Sequence, residues 1–367
     1  MKTHKNASVL LVVMLTIFAA AAILVSSVEY AKTALRQRAT ASKFGDLRAS
    51  AYSALNAAVA VLEEYSEIDG GIYSPAQGWE KPLADGRVKL PDGSDAEVEI
   101  ADESGKIPLR NTDTETLVKI FEAFEISSSD AQKYADLIKD WCDADDAPST
   151  FGAEYQDYDT RAALPPNRPF ESLDELRYVK DVCDVFFSPE GGGPTPLFEK
   201  FAAIFSLEPF EKTNLNSASE EVLYTLMQIE QKQYRPALFE AIRGKIGAVS
   251  DGVVWCKTGE DISSRGGGDY PTTKTAFTAQ YLKITVNIKR GLAQYKLIAH
   301  YADAQTYAKL RNKNTSSRTT DTAGSPGSSA TSNPFGNVFE NAVQNSNSAK
   351  AKKKGTFKIV RIVEIGG

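Results

Sequence analysis

The sequence predicts an α+β fold: a long N-terminal helix packed on a small antiparallel sheet, with a large all-helical domain inserted. Three observations carry that reading. A charge-free apolar stretch runs unbroken into an amphipathic one, alternating apolar and polar runs stand on both sides of the middle region, and capped helical patterns fill that middle.

From Ala7 to Val28 no residue is charged, about 33 Å of helix and enough to cross a bilayer core of ~30 Å. Lys2 and Lys5 precede it, which favours a cytoplasmic N-terminus. Ala19–Ala22 supplies small residues of the kind a signal peptidase cuts after, so composition alone leaves a discarded signal peptide open. The helical pattern continues to about Tyr65, however, with no proline and with Leu47, Ala51, Leu55, Val59 and Leu62 on one stripe. A signal peptide has no reason to run in register into such a helix.

Two strands follow, Gly86–Leu90 and Asp95–Glu103, around the turn residues Pro91, Asp92 and Gly93. Thr112 and Glu115 form an expected capping box, with Leu117, Ile120, Phe121 and Phe124 at helical spacing behind it. A second helix carries Ala131, Tyr134, Ile138 and Trp141 on one face; "FESLDELRYV", capped by Ser172 and Glu175, gives a third and "PLFEKFAAIF" a fourth. Two further strands flank Gly291. The Ser/Thr/Asn-rich stretch 306–355 offers almost nothing to bury and is expected to be disordered, and 356–367 is apolar enough to return as a last strand.

A weak repeat brackets the insertion. "KIPLRNTDTETLVKIF" lies without gaps on "KTNLNSASEEVLYTLM", placing Lys106, Leu109, Glu115 and Leu117 on Lys212, Leu215, Glu221 and Leu223. The second copy resembles the start of a helix-hairpin-helix motif, which needs a glycine hairpin against phosphates. Here "QIEQKQYRP" stands in that place, so the repeat reads as structural.

Composition excludes several functions. The chain has 367 residues, 42% of them hydrophobic and 25% charged, with a net charge of -6; it reads as globular and lacks the basic balance of a nucleic-acid binder. His4 and His300 are the two histidines, which nearly excludes histidine-based triads and histidine-rich metal sites. Cys142, Cys183 and Cys256 have no C-x-x-C spacing. In an exported body, one disulfide and one free thiol is the simplest arrangement, with Cys142 and Cys183, both in one helical region, as the expected pair.

The acidic stretch "DWCDADDAPSTFGAE" sets Asp143, Asp145 and Glu154 at first, third and twelfth positions of a calcium-type loop, with Asp146 beside them. Pro148 stands where an EF-hand needs glycine, and Ala147 offers no side-chain ligand. A solvated acidic loop accounts for this spacing equally well, and Asp140 reads as the end of its helix.

Four motifs together resemble the K component of type II secretion, a minor pseudopilin known as general secretion pathway protein K. They are "ASVLLVVML", "DWCDADDAPSTFGAEYQDY", "PPNRPFESLDELRYV" and "NLNSASEEVL", in the family's order from Ala7 to about Leu226. The resemblance implies a pilin-like fold and a division into leader 1–7, transmembrane helix 8–28, periplasmic helix 29–66, β domain 67–111, inserted helical domain 112–211, second helical segment 212–249, β domain 250–305, insertion 306–355 and terminal strand 356–367. It implies a subunit at the tip of the pseudopilus that helps initiate assembly and supports export of folded proteins across the outer membrane of a Gram-negative bacterium. Implied partners are I-type and J-type minor pseudopilins, other pseudopilins, prepilin peptidase and the inner-membrane secretion platform, with no nucleic acid.

The implied location is the inner membrane, single-pass, with the body in the periplasm. Cleavage between Ala7 and Ser8 would give a methylated N-terminus, although the family usually has glycine at the position of Ala7. The fifth mature position is then Val12, where ordinary pilins carry a glutamate; an unpaired carboxylate is costly in lipid, and a subunit without it need not dock under another. The family's calcium in its helical domain shifts the acidic loop toward a structural Ca2+ held by Asp143, Asp145, Asp146 and Glu154. The alternatives are a pilin-like component of a type IV pilus-related machine, or a membrane-anchored enzyme using Asp145 and Glu154. The sequence supplies no nucleophile–base pair or cofactor motif for the latter, so no enzyme is expected.

Overall fold

The computed structural model describes residues 3–83, 87–89, 94–158, 164–188, 192–247, 252–291, 293–319 and 357–366, without the side chains of 3–12, 35–44, 87–89, 312–319 and 366. Ala7, Ser8 and Val12 therefore lie in a described helix, but their side chains are outside the description. One helix, α1 (Thr3–Asp69), takes up the whole N-terminal pattern. Its segment Val13–Ala34 is long and apolar enough to span a membrane, and its side chains are exposed.

The second half of α1 buries the expected stripe. Leu47, Ala51, Leu55 and Leu62 are inaccessible and Val59 packs beside them. They lie on a five-stranded antiparallel sheet formed by β1 (Arg87–Lys89), β2 (Asp95–Asp102), β7 (Tyr281–Arg290), β8 (Ala293–Asp303) and β9 (Phe357–Gly366), in the order β1-β2-β7-β8-β9. Alternation decides the faces: Val98, Ile100, Leu282, Ile284, Val286, Ile288, Leu297 and Ala299 face the α1 core. The expected hairpin pairs Val88 with Ala96; its turn lies outside the described residues.

The sheet's two ends differ. At one, Arg48 and Tyr52 of α1 both donate to the Glu364 carboxylate of β9, at 2.8 and 2.6 Å, and Asp46 stands 3.5 Å from Arg290. At the other, the chain leaves β2 and returns at β7 after building the helical body. That body holds β3 (Ile107–Pro108), α2 (Thr114–Ala123), α3 (Ser128–Asp140), α4 (Val182–Phe186), α5 (Pro196–Ile204), β4 (Phe205–Ser206), β5 (Thr213–Asn214), α6 (Glu220–Ile229), α7 (Pro236–Ile242), α8 (Gly259–Ser264) and β6 (Thr275–Ala276). One apolar core, from Ile107 through Phe121, Phe201 and Leu223 to Ile262, runs across the boundary expected at 211–212. Asn214 ties the body to the sheet end, donating to the Tyr73 carbonyl at 2.8 Å and to Asp102 at 2.7 Å.

The repeat is structural. α2 and α6 each have ten residues and occupy the same place in the alignment of Lys106 on Lys212. So do the strand pairs β3 and β5 and the left-handed residues Glu125 and Gln231 that close the two helices. The caps differ from expectation. Asp113 rather than Thr112 caps α2, accepting the Thr116 N–H at 2.8 Å, because the Thr112 hydroxyl donates back to the Pro108 carbonyl. Ser172 and Glu175 do form a capping box, but they start a short 3-10 turn, Leu173–Tyr178.

Two expectations are corrected. The stretch 306–355 opens in a helix, α9 (Ala304–Thr319), started by Asp303 accepting the Thr306 N–H at 2.7 Å. Tyr307 and Leu310 give it apolar anchors on Phe210, Tyr281 and Val360; residues 320–355 lie outside the described residues. The expected Cys142–Cys183 disulfide is absent, and all three cysteines are free. The Cys142 thiol is pushed up to about 12 by burial, while Cys183 sits against its own neighbour Asp184 at 3.6 Å.

Candidate metal centre

The acidic site forms where α3 ends. Ser127 caps the helix, and Ala131, Ala135, Ile138 and Trp141 bury one face in the core. Asp136 and Asp140, four residues apart, share another face and receive the loop that follows. Asp136 accepts the Phe151 N–H at 3.2 Å. Asp140, wholly buried, accepts the Ser149 N–H at 2.9 Å and its hydroxyl at 2.6 Å. The loop then crosses Asp140 at Gly152 so closely that a Cβ there would stand 1.7 Å from Asp140 Oδ2. That approach delivers Glu154, 1% exposed, beside the aspartates.

Oxygens of Asp140, Asp143 and Glu154 lie within 4.8 Å of one another. Among the described residues, both Glu154 oxygens and Asp143 Oδ1 are buried without a hydrogen-bond partner. Burial, reinforced by Asp140 and Asp143, pushes the Glu154 carboxyl up to about 7; burial and the charges of Asp145 and Asp140 raise Asp143. Buried carboxylates left unpaired are costly, and a hard dication relieves that cost.

Calcium fits this donor set. It takes oxygen ligands at about 2.3–2.6 Å, so two ligands on opposite sides of one ion stand up to about 5 Å apart. The three mutual separations meet that limit, and no sulfur or imidazole is in the cluster.

The structure keeps two of the four expected ligands in the cluster and adds one. Asp143 and Glu154 converge; Asp145 and Asp146 turn away. Asp145 Oδ1 accepts the Ala147 N–H at 3.0 Å, and Asp146 Oδ1 accepts from Asn167 at 2.9 Å. Their place is taken by Asp140, whose pairing with Asp136 at i, i+4 was the available sequence signal. The calcium-loop spacing failed because the ligands come from a helix end and a returning loop rather than from one turn.

Residues 99–185, from β2 through α4, match the family model of type II secretion system protein K. This segment is similar to protein K of type II secretion. It contains Asp140, Asp143, Gly152 and Glu154, so the acidic cluster lies within the protein K segment. The crystal structure of the GspK-GspI-GspJ complex from the enterotoxigenic Escherichia coli Type 2 Secretion System is similar in fold. Its TM-score is 0.53 at 15% identity, covering 73% of this chain and 94% of that one. No curated protein matches the sequence.

Proposed function

We propose that the chain is a minor pseudopilin that stands at the tip of a type II secretion pseudopilus, where it helps start assembly and supports export of folded proteins. The supporting observation is where the helical body sits. α1 enters the sheet at the end marked by Asp46, Arg48 and Glu364, and the body leaves from the opposite end, at Asp102 and Tyr281. With Val13–Ala34 in the inner membrane and the body in the periplasm, that bulk lies on the side remote from the membrane. A subunit crowned in this way terminates a stack.

The role is structural rather than enzymatic. Asp140, Asp143 and Glu154 hold a calcium ion that fastens the loop after α3 to the core, and the ion supplies charge neutralisation to those carboxylates. The fold similarity to a chain of the GspK-GspI-GspJ complex favours I-type and J-type minor pseudopilins as partners, with other pseudopilins, prepilin peptidase and the inner-membrane platform acting at assembly. Co-expression with I-type and J-type minor pseudopilins should yield one complex that survives size exclusion. A chain that elutes alone under those conditions refutes the assignment.

A further inference from the structure

The two repeated units of the helical body differ at one cleft. In the second unit the turn Leu215–Asn216 faces the end of α7, where Arg243 donates to the Ala218 carbonyl at 2.7 Å. That cleft is filled by the chain itself. The wholly buried Asn216 donates to the Cys256 carbonyl at 2.7 Å and accepts the Cys256 N–H at 2.9 Å. Residues 253–256 press on the end of α7 so closely that a Cβ on Gly244 would stand 2.7 Å from the Val254 carbonyl.

In the first unit the matching turn is Leu109–Arg110, and the matching helix end is that of α3, where Lys139 donates to the Thr112 carbonyl. Thr112 and Ala218 correspond in the same alignment. Arg110, in the place of Asn216, is exposed and makes no ion pair among the described residues. A cavity of about 170 Å³ stays open here, walled by Leu109, Ile138, Cys142, Phe170 and Leu207. Arg110, Lys139 and Asp143 stand at its edge.

We propose that this cleft is a docking site for an extended segment of a neighbouring protein chain carrying one apolar side chain next to a carboxylate. The volume suits a leucine side chain or an aromatic ring, since apolar cavities of about 150 Å³ take up benzene. The guanidinium of Arg110 matches a carboxylate in charge and in its forked geometry. In the second unit the corresponding space is taken by the chain's own backbone, held at Cys256. The inference does not depend on the secretion assignment or on calcium.

The test uses the full chain in detergent with methyl-labelled Leu and Ile, titrated with N-acetyl-phenylalanine and, separately, with its primary amide. Saturable shifts at Leu109, Ile138 and Leu207 are expected, with the carboxylate binding more tightly than the amide. Arg110→Gln should weaken the carboxylate about tenfold and leave the amide unchanged. Cys142→Leu, which narrows the cavity, should weaken both. If that variant misfolds, the exposed Arg110→Gln still decides. Absence of saturable shifts in the wild type, or equal binding of the two probes with and without Arg110, overturns the proposal.

Discussion

At Gly152 the backbone passes within contact of the Asp140 carboxylate, and no side chain has room there. Gly152→Ala should therefore displace Asp140 or the loop, and the chain should lose its response to calcium. Glu154→Gln should do the same by removing a ligand whose two oxygens have no other partner among the described residues. In the wild type, calcium about a hundredfold above its Kd adds about 2.7 kcal/mol, read as a rise in Tm relative to chelator. Magnesium should add less, because it keeps its waters and demands a stricter octahedron. Coincident melting curves in calcium, magnesium and chelator would withdraw the metal. The sequence made Asp143 and Glu154 legible through their spacing, but not Asp140. Whether a helix-end aspartate faces solvent or a returning loop depends on where Gly152 crosses it, which is tertiary information.

Among the elements, the joint between the helical body, β8 and β9 carries a pH dependence of its own. His300 of β8, 4% exposed, has Nδ1 3.3 Å from Glu208 and Nε2 3.3 Å from Arg361 of β9. Tyr281, Glu103 and Lys283 complete the charged and titratable surroundings. Burial, with Arg361, lowers the His300 pKa to about 4, against ~6.5 for an unfolded histidine. The unfolded chain thus binds more protons in that window. The stabilisation is complete above the unfolded value and is lost as pH falls through the folded one, about 3 kcal/mol in all. Urea unfolding across the window should show the wild type gaining stability relative to His300→Gln as pH rises, a difference in which the opposing contribution of the raised Glu154 carboxyl cancels. Equal slopes would remove His300 from the account. Neither the joint nor α9 was legible in the sequence. The α9 segment is polar along most of its length, and its few anchors acquire a surface only once Phe210 and Val360 are brought to the sheet. The long strands and α1 were legible because their own alternation or stripe decides which face is buried, whichever partner covers it. The repeat of α2 and α6 was legible only faintly, since the shared geometry rests on a left-handed closing residue that differs in type, Glu125 in one copy and Gln231 in the other.

For the whole molecule, the arrangement of a membrane-length helix, a sheet clasped to it, and a helical body on the remote end supports a subunit that closes a filament. The clasp of Arg48 and Tyr52 on Glu364 fixes β9 to α1, so the sheet that carries the body is held to the helix that contains the membrane-length segment. Electron microscopy of pseudopili assembled with this chain tests that claim most directly, with gold-labelled antibody raised against the helical body. Label at a single end of each filament is the predicted result; label spaced along the shaft would contradict it.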